Sequence, residues 1–172
     1  MIDVKALFSL SYGLYIVSTG YDGKLNGQII NAMIQVTSEP ICIAVCLNKD
    51  NYTTELLEKS GYFSASVLDN DVSMPFIGNF GFRSGRSHDK FANCKEWVIG
   101  ENGAPKVKEN CIAAIEAKVI SVTSAYTHKI FVGEVTSAEY IREGKPLSYA
   151  DYHILKKGKA PANAPSAIFN KL

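Results

Sequence analysis

Apolar positions fall in short runs rich in β-branched and aromatic residues, which turn signals divide. The run "YGLYIVST" leads into "YDGK", whose Asp22-Gly23 pair is a two-residue hairpin signal. "LNGQIINAMIQVT" reads as the returning strand and ends before Pro40, which has no N–H for a ladder. "ICIAVCLN" is apolar almost throughout, the pattern of a buried strand. "YFSASVL" sets Phe63, Ala65 and Val67 on one face and Ser64 and Ser66 on the other. "CIAAIEAKVISVTSA" and "HKIFVGEVTSAEYI", joined by Tyr126-Thr127, are expected to pair as a hairpin. They exceed the usual strand length of about six residues, which predicts bends or bulges.

Helical signals are few. "YTTELLEKSG" reads as a short helix with Leu56 and Leu57 on its apolar side and Gly61 as its stop. "SMPFIGNF" predicts a helical turn, and "SYADYHIL" a brief helical stretch before a loop rich in Pro and Ala. Strands in number, at most three short helices and no βαβ alternation predict a mainly β protein. The expectation is one domain over residues 1–172, an antiparallel barrel with short helical inserts.

Composition narrows the class. With 172 residues, 47% apolar and 20% charged, the chain is long enough for a full core of its own. Lys+Arg 18 against Asp+Glu 17 argues against a protein built to coat nucleic acid, although a local basic patch stays open. The N-terminus shows no signal-peptide pattern, and no apolar run is long enough to span a membrane, so a cytoplasmic protein is expected. Cys42, Cys46, Cys94 and Cys111 form no CxxC pair and read as reduced core cysteines, with Cys42 and Cys46 on one strand face. Three histidines without HxH or HExxH spacing argue against a catalytic zinc, and no Ser or Cys stands in a recognisable nucleophile motif.

Four stretches carry candidate chemistry. In "LNKDNYTTELL" a strand runs through a polar turn into a helix near Thr53. Unpaired first-turn N–H groups and Lys49 suit a phosphate there, while spacing alone favours an ordinary cap with a solvated lysine. Asn26, Gln28 and Asn31 are amides among apolar neighbours. Buried, they need partners, which are either a flat heterocycle or the adjoining strands. His128 and His153 stand alone, and lone histidines are more often structural or solvated than catalytic. "FIGNFGFRSGRSHDKF" holds Arg83, Arg86 and Lys90 beside Ser84, Gly85 and Ser87. Its glycines at 78, 81 and 85 match no nucleotide fingerprint, and an Arg86–Asp89 pair on a solvated loop is the alternative to a cofactor edge.

Taken in order, "NGQIINAMIQVTSEP", "LNKDNYTTELL", "SGYFSASVL", "FIGNFGFRSGRSHDKF", "HKIFVGEV" and "LSYADYHILKKGKAP" resemble the flavin reductase-like, FMN-binding split-barrel family. The likeness is to its flavoredoxin-type branch and to the flavin reductase domain fused to rubredoxin in some anaerobes. The resemblance implies a Greek-key split β-barrel of about six strands, a homodimer, and non-covalent FMN. By motif matching, Asn26, Gly27, Gln28 and Asn31 would face the ring, and Asn48, Lys49, Asn51 and Thr53 would hold the phosphate. Ser84, Arg86, Lys90 and His128 would approach the cofactor, with His128, as the catalytic candidate, or Lys90 stabilising the reduced flavin. Several relatives carry Trp where this chain has Ala32.

The implied activity is an FMN-dependent oxidoreductase. It would pass electrons from NADH, NADPH or a protein donor to free flavin, rubredoxin or another redox partner, and hydride chemistry on the flavin needs no acid–base dyad. Any rubredoxin would be a separate protein, since the chain reaches "IFNKL" without a CxxC iron site. No metal, nucleic acid or membrane is expected. An electron carrier without nicotinamide turnover, or a barrel holding another ligand, are the alternative readings. Nothing in the sequence selects NADH over NADPH.

Overall fold

The computed structural model describes residues 2–168, so both ends of the expected 1–172 domain, Met1 and "FNKL", lie outside the described residues. The elements in order are α1 (Val4–Leu7), β1 (Tyr15–Tyr21), β2 (Lys24–Ile30), β3 (Met33–Ser38), β4 (Ile41–Asn48), α2 (Tyr52–Ser60) and β5 (Tyr62–Leu68). There follow α3 (Met74–Gly81), β6 (Trp97–Ile99), β7 (Pro105–Val107), β8 (Cys111–Ala125), β9 (His128–Tyr140) and α4 (Tyr149–Ile154).

Seven strands form one antiparallel sheet, ordered β2-β1-β5-β8-β9-β4-β3, and β6-β7 form a separate ribbon. The run "LNGQIINAMIQVT", expected as one strand, is two, broken at Asn31-Ala32. Its first half pairs with β1 and its second with β4, at opposite edges of the sheet. The sheet therefore rolls until those edges approach, and residues 31–32 carry the chain across the gap. Cys46 N donates to Ala32 O there, at 3.0 Å. The result is a barrel that stays split, because β2 and β4 come close without forming a ladder.

Local signals explain the other elements. Asp22 and Gly23 have φ of 50° and 71°, both left-handed as a type I′ hairpin turn requires. β8 and β9, at 15 and 13 residues, pair through two register shifts, one between Glu116 and Ala117 and one between Val119 and Ser121. α3 is a full eight-residue helix rather than a turn, because Ser73 caps it through Phe76 N and Pro75 suits its first turn.

Two cores flank the sheet. Val17, Ile43, Val45, Leu57, Phe63 and Phe131 fill the barrel, and Ile16, Ile77, Phe80, Phe91, Val107 and Leu147 pack outside it under α3. β5 is thus buried on both faces, and the Ser64 hydroxyl is met by the Pro105 carbonyl of β7. All four cysteines are free, and Cys42, Cys94 and Cys111 are buried as expected. Cys46 departs from that reading: Val45 and Leu47 fill the barrel, while Cys46 points the other way and lines a cleft.

Candidate functional site

A cleft of about 440 Å³ opens between β2, the start of α2, the loop after α3 and residues 159–165, within the size range of small-molecule sites. Period-two geometry turns Asn26 and Gln28 of β2 to its floor. Asn26 is 3% exposed and its Nδ2 donates to Thr53 Oγ1 at 2.8 Å, which ties β2 to the first turn of α2. Gln28 is nearly buried, yet no hydrogen bond within the described residues uses its amide. Gly27 does not itself line the cleft, but its carbonyl accepts from Lys90 Nζ at 2.7 Å.

The start of α2 forms one wall through Asn51, Tyr52 and Thr53. Asn51 holds the N-cap position, but its side chain does not cap the helix, leaving the first-turn N–H groups to another partner. Opposite stands the loop after α3. Gly85 presses against β2 so closely that a Cβ would lie 2.1 Å from Asn26 Oδ1, so only glycine fits there. Ser84 and Arg83 border the cleft beside it. Arg86 does not pair with Asp89: it lies 4.9 Å over the Tyr52 ring and 2.9 Å from Glu55 Oε2. Asp89 instead accepts from Phe91 N and Ala92 N. Lys59 and then Arg86 hold the Glu55 carboxyl below its ordinary pKa.

Lys90 is 4% exposed and lines the cleft, with Nζ donating to Gly27 O and to Phe80 O at 2.9 Å. Burial pulls its pKa down to about 8. An ammonium has three protons, and the two carbonyls use two of them.

The structure does not bring every residue singled out from the sequence into this cleft. Lys49 is exposed and borders no part of it, because its N–H bonds Thr127 O and commits it to the β8–β9 hairpin. His128 lies in an adjoining cavity of about 360 Å³ with Cys46, Asn48 and Thr127. Its Nδ1 is 2.8 Å from Thr127 Oγ1, while Nε2 is buried and makes no well-formed hydrogen bond. Burial lowers its pKa, opposed in part by the Asn163 carbonyl, so the ring leans to its neutral form. His153 does not line the cleft; it packs on Tyr149 and Tyr152, which do, and its Nδ1 bonds Gly158 O at 2.8 Å.

None of the candidate site residues read from the sequence lies in the fourth wall. Residues 159–165 fold back over the barrel, and Asn31 Nδ2 donates to Ser166 Oγ at 2.9 Å. Asn48 Nδ2 donates to Asn163 O at 3.2 Å, and Asn163 Nδ2 to Asn51 Oδ1 at 2.6 Å. Three of the amides singled out therefore meet the chain's own tail. The run "KAPANAP" has no periodicity to announce this; only its small residues, able to lie close against a wall, hint at it.

A flavin fits this arrangement. The unspent Gln28 amide and buried Asn26 suit a ring edge of alternating donors and acceptors, and the uncapped α2 terminus opposite Arg83 suits a phosphate. Split barrel and cleft together give a β-barrel with a small-molecule site on its flank. The chain belongs to the family described as flavin reductase like domain, whose model matches residues 7–157. It is 46% identical over 163 residues to the ferric-chelate reductase (NAD(P)H) of Archaeoglobus fulgidus, covering 95% of this chain and 96% of that one. It is 42% identical over 165 residues to the high molecular weight rubredoxin of Moorella thermoacetica, covering 96% of this chain and 72% of the relative. Among solved structures, flavoredoxin from Methanosarcina acetivorans superposes with a TM-score of 0.69 at 26% identity, over 79% of this chain and 73% of that one.

Proposed function

We propose that the protein is an NAD(P)H-dependent flavin oxidoreductase that uses non-covalent FMN and passes electrons to a small acceptor or a separate redox protein such as rubredoxin. The observation that carries this reading is the cleft floored by Asn26 and the unspent Gln28 amide, in a chain nearly coextensive with a named NAD(P)H-dependent reductase. Bound flavin would supply the hydride and single-electron chemistry, which side chains cannot.

The chain's own residues bind and orient. Asn26 and Gln28 address the ring edge, with Asn26 held in place by Thr53. The α2 terminus and Ser84 address the phosphate, and Arg83 is the cation best suited to it. Arg86 is engaged by Glu55 and Tyr52, and Lys90 by two carbonyls, whereas Arg83 has no carboxylate partner among the described residues. Lys90 keeps one proton for the cofactor side and is the residue suited to stabilising an anionic reduced ring. His128, leaning neutral, is suited to hydrogen bonding rather than to charge.

A homodimer is part of this reading, supported by the exposed Ile34 on β3 and by Ile120, Val122 and Tyr126 along the β8–β9 hairpin. A cytoplasmic location is supported by four free cysteines. The test is to purify the full chain, release its flavin by heat and identify it, while measuring mass by light scattering. The reading expects FMN at about one per chain on a dimer; a colourless protein that binds no added FMN would reject it.

A further inference from the structure

Ala162, Asn163, Ala164 and Pro165 line both cavities, as do Cys46 and Asn48. The two cavities are therefore one trough, running from Arg83 past Asn48 to His128, with the C-terminal segment laid across it. The segment's root is firm. The Tyr152 hydroxyl donates to Lys159 O at 3.0 Å, and Gly158 packs so tightly that a Cβ would lie 2.1 Å from the Tyr152 ring. The crossing part is different. It has no regular secondary structure, its residues 162, 163 and 165 are exposed, and polar latches hold it down. Asn163 bonds Asn51 and receives Asn48, while Ser166 bonds Asn31 and the Tyr149 hydroxyl, the latter at 2.7 Å. Segments held this way are the ones that open at low free-energy cost.

We propose that residues 161–166 form a gate across the trough, latched by Asn163 and Ser166, that sets how large an acceptor reaches the cleft floor. The gate rests on the geometry alone; that the floor holds flavin rests on the function proposed above. Seated, the segment parts the Asn26–Gln28 floor from the His128 cavity. Lifted, it joins the cavities and returns the Asn31, Asn48 and Asn51 amides to the trough. Small soluble acceptors reach the floor with the gate seated, and a redox protein needs it lifted.

Cys46 is the reporter, a free, half-buried thiol beneath the segment while the other three cysteines are buried. The experiment compares labelling by a small and a bulky maleimide in the native protein, Asn163→Ala, Ser166→Ala and the double variant, with Cys46→Ser identifying the site. Loss of one latch should speed bulky labelling about 5-fold and loss of both about 30-fold, the population changes that one or two ordinary interactions control. Equal bulky-reagent rates in native and double variant would overturn the gate. On flavin-loaded protein, the double variant should raise the rate with rubredoxin relative to ferricyanide, and an unchanged ratio would overturn the size selection. A preparation that takes up no flavin would refute the proposed function, while Cys46 labelling would still decide the gate.

Discussion

Lys90 joins three parts of the molecule through one side chain. Its ammonium bonds the carbonyls of Gly27 on β2 and Phe80 in α3, and its own carbonyl accepts from Asn79 Nδ2 at 2.7 Å. Burial lowers its pKa from 10.5 to about 8. Between those values the unfolded chain binds more protons than the folded one, so this residue's contribution to stability rises with pH across that window. The neutral amine keeps two N–H donors, enough for both carbonyls. Native protein should therefore gain stability relative to Lys90→Met as pH goes from about 8 to above 10, by up to about 3 kcal/mol. Denaturant melts of both proteins across that range are the check; a gap that narrows with pH contradicts the account. At neutral pH Lys90→Met also leaves two buried carbonyls without a donor, at a cost of about 1–3 kcal/mol each.

At the scale of elements, the site depends on how closely the loop after α3 seats on β2. Gly85→Val places side-chain atoms where Asn26 Oδ1 stands, and Asn26 cannot yield because Thr53 holds it. The loop must lift and carry Ser84 and Arg83 away from α2. Flavin affinity should fall about tenfold or more, since displacements of about 1 Å at a site cost up to about 100-fold. The melting temperature should move little, because the barrel core does not include this loop. Isothermal titration with FMN reads the first effect, and undiminished affinity would contradict this seating.

Much of this architecture was legible in the sequence, and what was not has physical reasons. The Asp22-Gly23 hairpin, β4, β5, α2 and the long β8–β9 pair follow from period, turn chemistry and the Gly61 stop. The break at Asn31-Ala32 was hidden because apolar residues continue on both sides of it with no Gly or Pro between, and only the rolling of the sheet sends its halves to opposite edges. β6 and β7, at three residues each, are too short to show a period. In the site, the amides of β2 were visible as polar residues in apolar company. Lys49, expected beside the helix start, is exposed and does not border the cleft, since proximity in sequence to a helix start does not fix direction. The tail was silent, since its contacts with Asn31, Asn48 and Asn51 span more than a hundred residues.

For the whole molecule, the split between β2 and β4 is what makes room for chemistry. A closed barrel of this size fills its interior with side chains, as Val45, Leu57, Phe63 and Phe131 do here. The cleft proposed for the cofactor lies outside the barrel, on the face where β2, α2 and the loop after α3 converge and the tail folds over. The family's reductase chemistry then needs only a donor that reaches the same cleft and an acceptor that follows it.

Anaerobic titration of the FMN-loaded protein with NADH and with NADPH, followed by its visible flavin absorbance, tests the central claim most directly. The account predicts bleaching to the reduced flavin by at least one nicotinamide at turnover-competent rates, with colour restored when an acceptor is added. Flavin that stays oxidised with both donors, in protein that dithionite reduces readily, would contradict it.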